Sequence, residues 1–247
     1  MHAMNQKGFT LIEIMIALTI GVFLTGALLT IVQTNRRVFG EQSQLAQMQD
    51  NERMAMTMMG DVIQSAGYFP NPVINTSTTA LIAAGPFAVG QSISGTTAAP
   101  FDAISVRYMT AGGDGILNCS GGSNPTGGPN FLYVNTFSVL NGQLVCTRED
   151  ATLYTLVGGV PGSGLDITGM SILYGVRADA TQPGNNVDTY MDAAQVNAAT
   201  LWGSVISVQI SLTFTNPLYN AANPAGQLPT FQIKRVIGVM SQTGPTI

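Results

Sequence analysis

Apolar residues form one long block near the start of the chain and alternate with polar residues over much of the rest. The block, residues 9–32, holds 24 positions and a single charge, Glu13. About 20 apolar residues are enough for a helix to cross a bilayer. The block therefore predicts a transmembrane helix, and the acid inside it needs an explanation.

The pattern becomes amphipathic over residues 33–67. Gly67, Pro70 and Pro72 supply the signals that end a helix. One long helix is therefore predicted from residue 9 to about residue 66. Its second half carries an apolar stripe at three-, four- and seven-residue steps: Val38, Leu45, Met48, Ala55, Met59, Val62 and Ala66.

The remainder, residues 68–247, is predicted to be a β-rich head. Apolar and polar residues alternate most clearly over 205–215, as expected for an antiparallel sheet with one covered face. A short helix is expected over 188–200, with Asp188 as its N-cap, and the connection 68–100 has room for one short strand. The other predicted strands are 103–109, 131–139, 143–148, 151–157, 170–177 and 230–240.

Composition adds two constraints. Charged residues make up only 9% of the chain and the net charge is −4, so the broad basic face of a nucleic-acid-binding protein is not expected. Two cysteines, Cys119 and Cys146, lie beyond the membrane segment. If that part is exported, a disulfide between them is favoured; the alternative is two buried thiols.

Candidate catalytic chemistry is sparse. The only histidine, His2, lies before the apolar block, and no cofactor is predicted. Glu149 and Asp150 are interpreted as the solvated end of a strand. Oxygen ligands at Asp179, Asn185 and Asp188 offer a candidate Ca²⁺ loop, although their spacing does not match an EF-hand. We therefore expect neither catalysis nor a resident metal.

Three interpretations of the N-terminus compete: a cleaved secretory signal, an uncleaved anchor and a leader cut before the apolar block. The block is too long for the first, and the second leaves Glu13 unexplained. The run Lys7-Gly8-Phe9-Thr10-Leu11-Ile12-Glu13 resembles the type IV prepilin signal. The resemblance implies that residues 1–8 are a leader, that a prepilin peptidase cuts between Gly8 and Phe9, and that the new amine of Phe9 is methylated. His2 would leave with the leader.

A carboxylate within a bilayer costs about 2.5–3.5 kcal/mol on insertion scales, so Glu13 is expected to have a partner. In pilins the implied partner is the amine of Phe9, in the same or a neighbouring subunit. The alternative is that the side chain reaches water at the membrane edge.

Further stretches resemble one family of minor pilins, the PilW family. They are 64–69 (Gln-Ser-Ala-Gly-Tyr-Phe), 172–176 (Ile-Leu-Tyr-Gly-Val), Trp202 with 205–212, and 234–236 (Lys-Arg-Val). The loop 177–182 carries fewer acids than that family leads us to expect. The resemblance implies an α+β, type IV pilin-like fold, in which a long N-terminal helix packs on a mainly antiparallel β-sheet head.

The same resemblance implies a structural role. Such subunits join other minor pilins at or below the filament tip and prime assembly of the major pilin. The implied contacts are those pilins, the prepilin peptidase, the inner-membrane assembly platform and inner-membrane lipid. The implied location is the inner membrane, with a periplasmic head, and then the pilus. The alternatives are a J-type pseudopilin of type II secretion and a tip subunit for adhesion or DNA uptake.

Overall fold

The computed structural model describes Gly8 and residues 10–179, 186–222 and 226–243. It divides into two compact units, 1–47 and 48–247. Helix α1, Leu11–Gln64, begins in the first unit and ends in the second. The short elements of the second unit are the helices α2 (Ser77–Ala80), α3 (Ala193–Ala198) and α4 (Met240–Thr243).

Nine strands form two antiparallel sheets in the described part of the head. The first sheet is a meander in the order β1-β2-β3-β4-β5, and the second has the order β7-β6-β8-β9. The strands are β1 Ile93–Thr96, β2 Ala103–Thr110, β3 Phe131–Leu140, β4 Gln143–Arg148, β5 Leu153–Gly158, β6 Ile167–Val176, β7 Thr189–Met191, β8 Val205–Thr215 and β9 Thr230–Gly238.

The predicted α+β fold is confirmed. Strand β8 shows why the alternation of apolar and polar residues predicted a strand correctly. Its apolar positions Val208, Ile210, Leu212 and Phe214 are fully buried. They share one core with the last turns of α1, with Ala66 just beyond its end, and with apolar residues of both sheets.

Tight turns set several strand ends. Asn141 and Gly142 join β3 to β4 with φ of 50° and 75°, the left-handed pair that a two-residue hairpin requires. Ala151 also has a positive φ, 61°, and β5 therefore begins at Leu153 rather than at residue 151.

The expected helix over 188–200 is wrong in its first half. Residues 189–191 form β7 and pair with Tyr174–Val176 at the edge of the second sheet. The N-cap is Asp192 rather than Asp188: its carboxylate accepts from the backbone N–H of Gln195, and the Gln195 side chain bonds back. This reciprocal capping box starts the helix four residues later than predicted.

Asp102 joins the two sheets. Its backbone N–H donates to the carbonyl of Met170 on β6, and its carboxylate accepts from the backbone N–H of Ile172, at 2.8 Å. The other carboxylate oxygen accepts from the N–H of Ala98 at 2.9 Å. One buried acid thus satisfies backbone donors on both sides of the sheet junction.

Candidate functional site

The N-terminal end of α1 carries the acid singled out from the sequence. One oxygen of Glu13 accepts from the backbone N–H and from the hydroxyl of Thr10, both at 2.9 Å. The backbone N–H of Glu13 in turn donates to the carbonyl of Thr10. Glu13 thus occupies the third helical position of a cap and satisfies a free N–H at the helix start. Gly8 is exposed, and Phe9 lies outside the described residues.

The apolar half of α1 satisfies its own polar groups, as a segment in lipid must. The hydroxyls of Thr19, Thr25 and Thr30 donate to the helix carbonyls of Ile16, Gly21 and Gly26 at 2.8–3.0 Å. The large apolar side chains from Leu11 to Val32 are exposed. Among the described residues, α1 is the helix whose length and composition suit a membrane span.

The other end of α1 is anchored in the head. Gly67 has φ of 77°, a left-handed position that suits glycine after a helix, and its N–H donates to the carbonyl of Arg107 on β2. A Cβ at Gly67 would lie 2.5 Å from the Ser241 hydroxyl oxygen. That hydroxyl donates to the carbonyl of Ala66 at 2.6 Å. The predicted helix end is therefore confirmed.

Cys119 and Cys146 form a disulfide, with their Cα atoms 6.4 Å apart. The bond joins the glycine-rich loop 111–129 to β4. Two buried side chains hold the same loop: the Asn135 amide accepts from the N–H of Cys119, and the Tyr108 hydroxyl donates to the carbonyl of Leu117. The sequence indicated the disulfide but did not indicate these two polar contacts.

The interpretation of Glu149 and Asp150 as a solvated strand end is wrong for Glu149. Its side chain is only 16% exposed. The carboxylate accepts from Arg148 at 2.9 Å and from the N–H of Val134 on the neighbouring strand, at 3.3 Å. The hydrogen bond from Arg148 to Glu149, with weaker contacts to Tyr154 and Asp150, raises the pKa of Arg148. Arg148 and Glu149 thus form a structural ion pair at the end of β4.

The candidate Ca²⁺ loop is only partly covered, because Asn185 lies outside the described residues. The Asp188 carboxylate accepts from the backbone N–H of Asp179 at 2.9 Å, so it acts there as an acceptor for a loop amide. Within the described residues, no three His, Cys, Asp or Glu side chains cluster as metal ligands would.

Arg107 is the principal buried group that sequence reasoning missed. It lies on β2, is fully buried, and donates to the carbonyls of Gln91, Ala88, Ile82 and Leu81. Its guanidinium also stacks 4.7 Å from the ring centre of Phe87. Burial lowers the pKa of Arg107. The Arg107 side chain thereby holds the loop between α2 and β1, and no pattern in the local sequence predicts these contacts.

Comparison with known proteins agrees with both ends of this description. Residues 3–29 match the family model described as the prokaryotic N-terminal methylation motif. Residues 131–235, which span β3 to β9, match the model described as type IV pilus-assembly protein W. No curated protein matches. A solved structure of a type IV-like pilin from Thermus thermophilus aligns with a TM-score of 0.45 and 10% identity, covering 79% of this chain and 96% of that one.

A membrane-suited helix with a methylation motif, continued into an antiparallel β head, defines a type IV pilin-like protein. The match across the head is narrower: residues 131–235 are similar to the PilW family of type IV pilus-assembly proteins.

Proposed function

We propose that this chain is a minor pilin that primes type IV pilus assembly together with other minor pilins, at or below the filament tip. The observation that carries the proposal is the apolar half of α1. Its large side chains are exposed along Leu11–Val32, and its polar groups are satisfied within the helix. Such a segment is stable in lipid, or in a bundle of equivalent helices from other subunits.

Glu13 is proposed to mediate assembly. In the isolated chain its partner is Thr10, a neutral residue. A carboxylate with neutral partners remains available for a cation, and we propose that the amine of Phe9, in the same or a neighbouring subunit, replaces Thr10 in the filament. The required processing is cleavage between Gly8 and Phe9 by a prepilin peptidase, followed by methylation of that amine.

The role is structural, without catalysis or cofactor. The proposed partners are other minor pilins, the major pilin and the inner-membrane assembly platform. The proposed path starts in the inner membrane, with the head in the periplasm, and ends in the pilus. The methylation motif and the apolar helix support membrane anchoring.

The test compares Glu13→Ala with Ile14→Ala, a change of similar size one position along the same helix. Each variant replaces the wild-type gene, and both the membrane fraction and the sheared pili are assayed for this subunit. We expect both variants in the membrane and only Glu13→Ala to be depleted from pili. Wild-type incorporation of Glu13→Ala would refute the role of the acid.

The priming role is tested by deleting the gene and counting surface pili. A strong loss of pili, restored by the wild-type gene, is the expected result. Undiminished piliation together with a defect in protein secretion would favour the J-type pseudopilin instead. The match to a pilus-assembly family across residues 131–235 is our reason for preferring the pilus.

A further inference from the structure

The head contains a cleft of about 720 Å³ whose lining residues are all uncharged. It lies between the loop that Arg107 shapes, strand β1, and the turn Trp202–Ser204 that follows α3. Small-molecule sites have volumes of about 300–1,000 Å³, so the cleft is large enough for a ligand of several rings.

The cleft offers polar groups that are free to bind. In the part of the chain that the structure describes, four lining side chains have no hydrogen-bond partner: the hydroxyls of Ser77 and Ser94, the amide of Asn197 and the indole N–H of Trp202. Ser94 is only 8% exposed as a residue, but its hydroxyl is not among the unpaired side-chain atoms that are shut off from solvent, so it is accessible from the cleft. A ligand that supplies donors and acceptors can hydrogen-bond to these groups.

The walls that carry these groups are held in place. The Gln91 amide accepts from the N–H of Ala88 and donates to the carbonyl of Ile93. Arg107 binds the carbonyls of Gln91 and Ala88 from beneath. A wall fixed in this way loses little conformational freedom when a ligand binds.

Trp202 supplies the aromatic group of the cleft lining. It is the single tryptophan of the chain, and its ring packs edge-on against the buried Tyr174, 5.0 Å between centroids. Thr200, two residues before Trp202, has φ of 55°. This left-handed conformation is strained for a β-branched residue. Hydrogen bonds from Thr200 to Asn197 and from Leu201 to Val196 hold that turn, and so orient Asn197 and Trp202 toward one cleft.

We propose that this cleft binds a neutral oligosaccharide. A charged ligand would find no countercharge among the lining residues, and an apolar ligand would leave their hydroxyl and amide groups unpaired. A neutral saccharide has hydroxyls for Ser77, Ser94 and Asn197, and a C–H face that packs on an indole ring. The proposal is independent of the role in pilus assembly.

The single tryptophan makes the test direct. The full chain in detergent is titrated with chitohexaose, as a cell-wall-like N-acetylated glycan, and with cellohexaose and maltohexaose, as hexose polymers. Tryptophan fluorescence is recorded, and calorimetry supplies the Kd of each variant. A sulfated hexasaccharide and a neutral Gly-Ser peptide serve as ligands of other chemistry. We expect at least one neutral saccharide to bind with a Kd below about 1 mM.

Asn197→Ala is compared with Asn130→Ala, the same change at an exposed asparagine outside the cleft. We expect the cleft variant to bind about 3- to 10-fold more weakly, the worth of one neutral hydrogen bond, and the control to bind as wild type. A response confined to the N-acetylated arm would identify a cell-wall glycan, and one confined to the hexose arms an extracellular polysaccharide. No saturable response to any neutral saccharide, a response only to the peptide or sulfated ligand, or equal affinities of the two variants would overturn the proposal.

Discussion

Replacing Arg107 is the most informative change to the head, because its side chain is fully buried and all four of its hydrogen-bond acceptors are carbonyls. No carboxylate compensates its charge among these partners. Arg107→Met keeps most of the volume and removes every donor, so it isolates the contribution of the guanidinium.

The magnitude follows from the contacts. A hydrogen bond to a charged group contributes about 1.5–3 kcal/mol, so four of them contribute about 6–12 kcal/mol. Burial of the guanidinium costs several kcal/mol. We therefore expect Arg107→Met to lower the free energy of unfolding by about 3–5 kcal/mol, because the loop carbonyls lose their donors while no buried charge is left behind. For a domain of this size that corresponds to a Tm about 6–20 °C lower.

Arg53→Met is the matched control. Arg53 is 83% exposed, and its contact with Asp50 measures 3.5 Å, so we expect a change within about 1 kcal/mol. Thermal unfolding is followed by near-ultraviolet circular dichroism. Hydrogen exchange at Gly90, whose N–H donates to the carbonyl of Leu81, reports on the loop itself.

If Arg107→Met loses no more stability than Arg53→Met, the buried guanidinium does not stabilise the head. If the Gly90 amide exchanges as slowly in Arg107→Met as in wild type, the loop holds its shape without the cation.

Four further outcomes are expected, each measured as the free energy of unfolding. Tyr108→Phe should cost about 1–2 kcal/mol, because the carbonyl of Leu117 loses its donor. Tyr174→Phe should be neutral or stabilising, because its buried hydroxyl has no partner among the described residues. Equal losses of stability in the two variants would contradict this. Burial raises the pKa of both tyrosines, so the unfolded chain ionises first above pH ~10 and stability should fall there by about 1.4 kcal/mol per pH unit for each tyrosine. A Tyr108→Phe/Tyr174→Phe double variant that declines as steeply as wild type would refute that assignment. Reducing the Cys119–Cys146 disulfide, which closes a separation of 27 residues, should lower the free energy of unfolding by about 3–4 kcal/mol. Cys119→Ser should show a similar loss, and an unchanged unfolding midpoint after reduction would contradict this prediction. Thr200→Gly should stabilise by up to about 1 kcal/mol by relieving the left-handed strain, and a lower stability would show that no strain is stored there.

Much of the fold follows from local signals. The apolar block from Leu11 to Val32 has to be helical if it lies in lipid, whatever the rest of the chain does. Gly67 ends α1 because its backbone conformation is left-handed. The alternation over Val205–Thr215 places one face in the core, because successive side chains of a strand point to opposite sides.

Local signals failed where a short segment had two options. Residues 189–191 lie beside a helix with a strong capping box, yet they form β7 because the edge of β6 offers backbone partners. Glu149 is a second example, because its position at the end of a strand predicted a solvated side chain. It is largely buried because β3 brings the N–H of Val134 to its carboxylate.

By itself, then, the sequence determined the membrane helix with its acid, the methylation motif, the antiparallel head and the pair of cysteines. Each of these depends on residue type and on spacing along one segment. Only the tertiary structure decided what Arg107 binds and which groups line the cleft with Trp202. Those contacts join positions from Ser77 to Gly203. Backbone carbonyls are the same at every residue, so no sequence pattern marks the ones that a buried cation will meet.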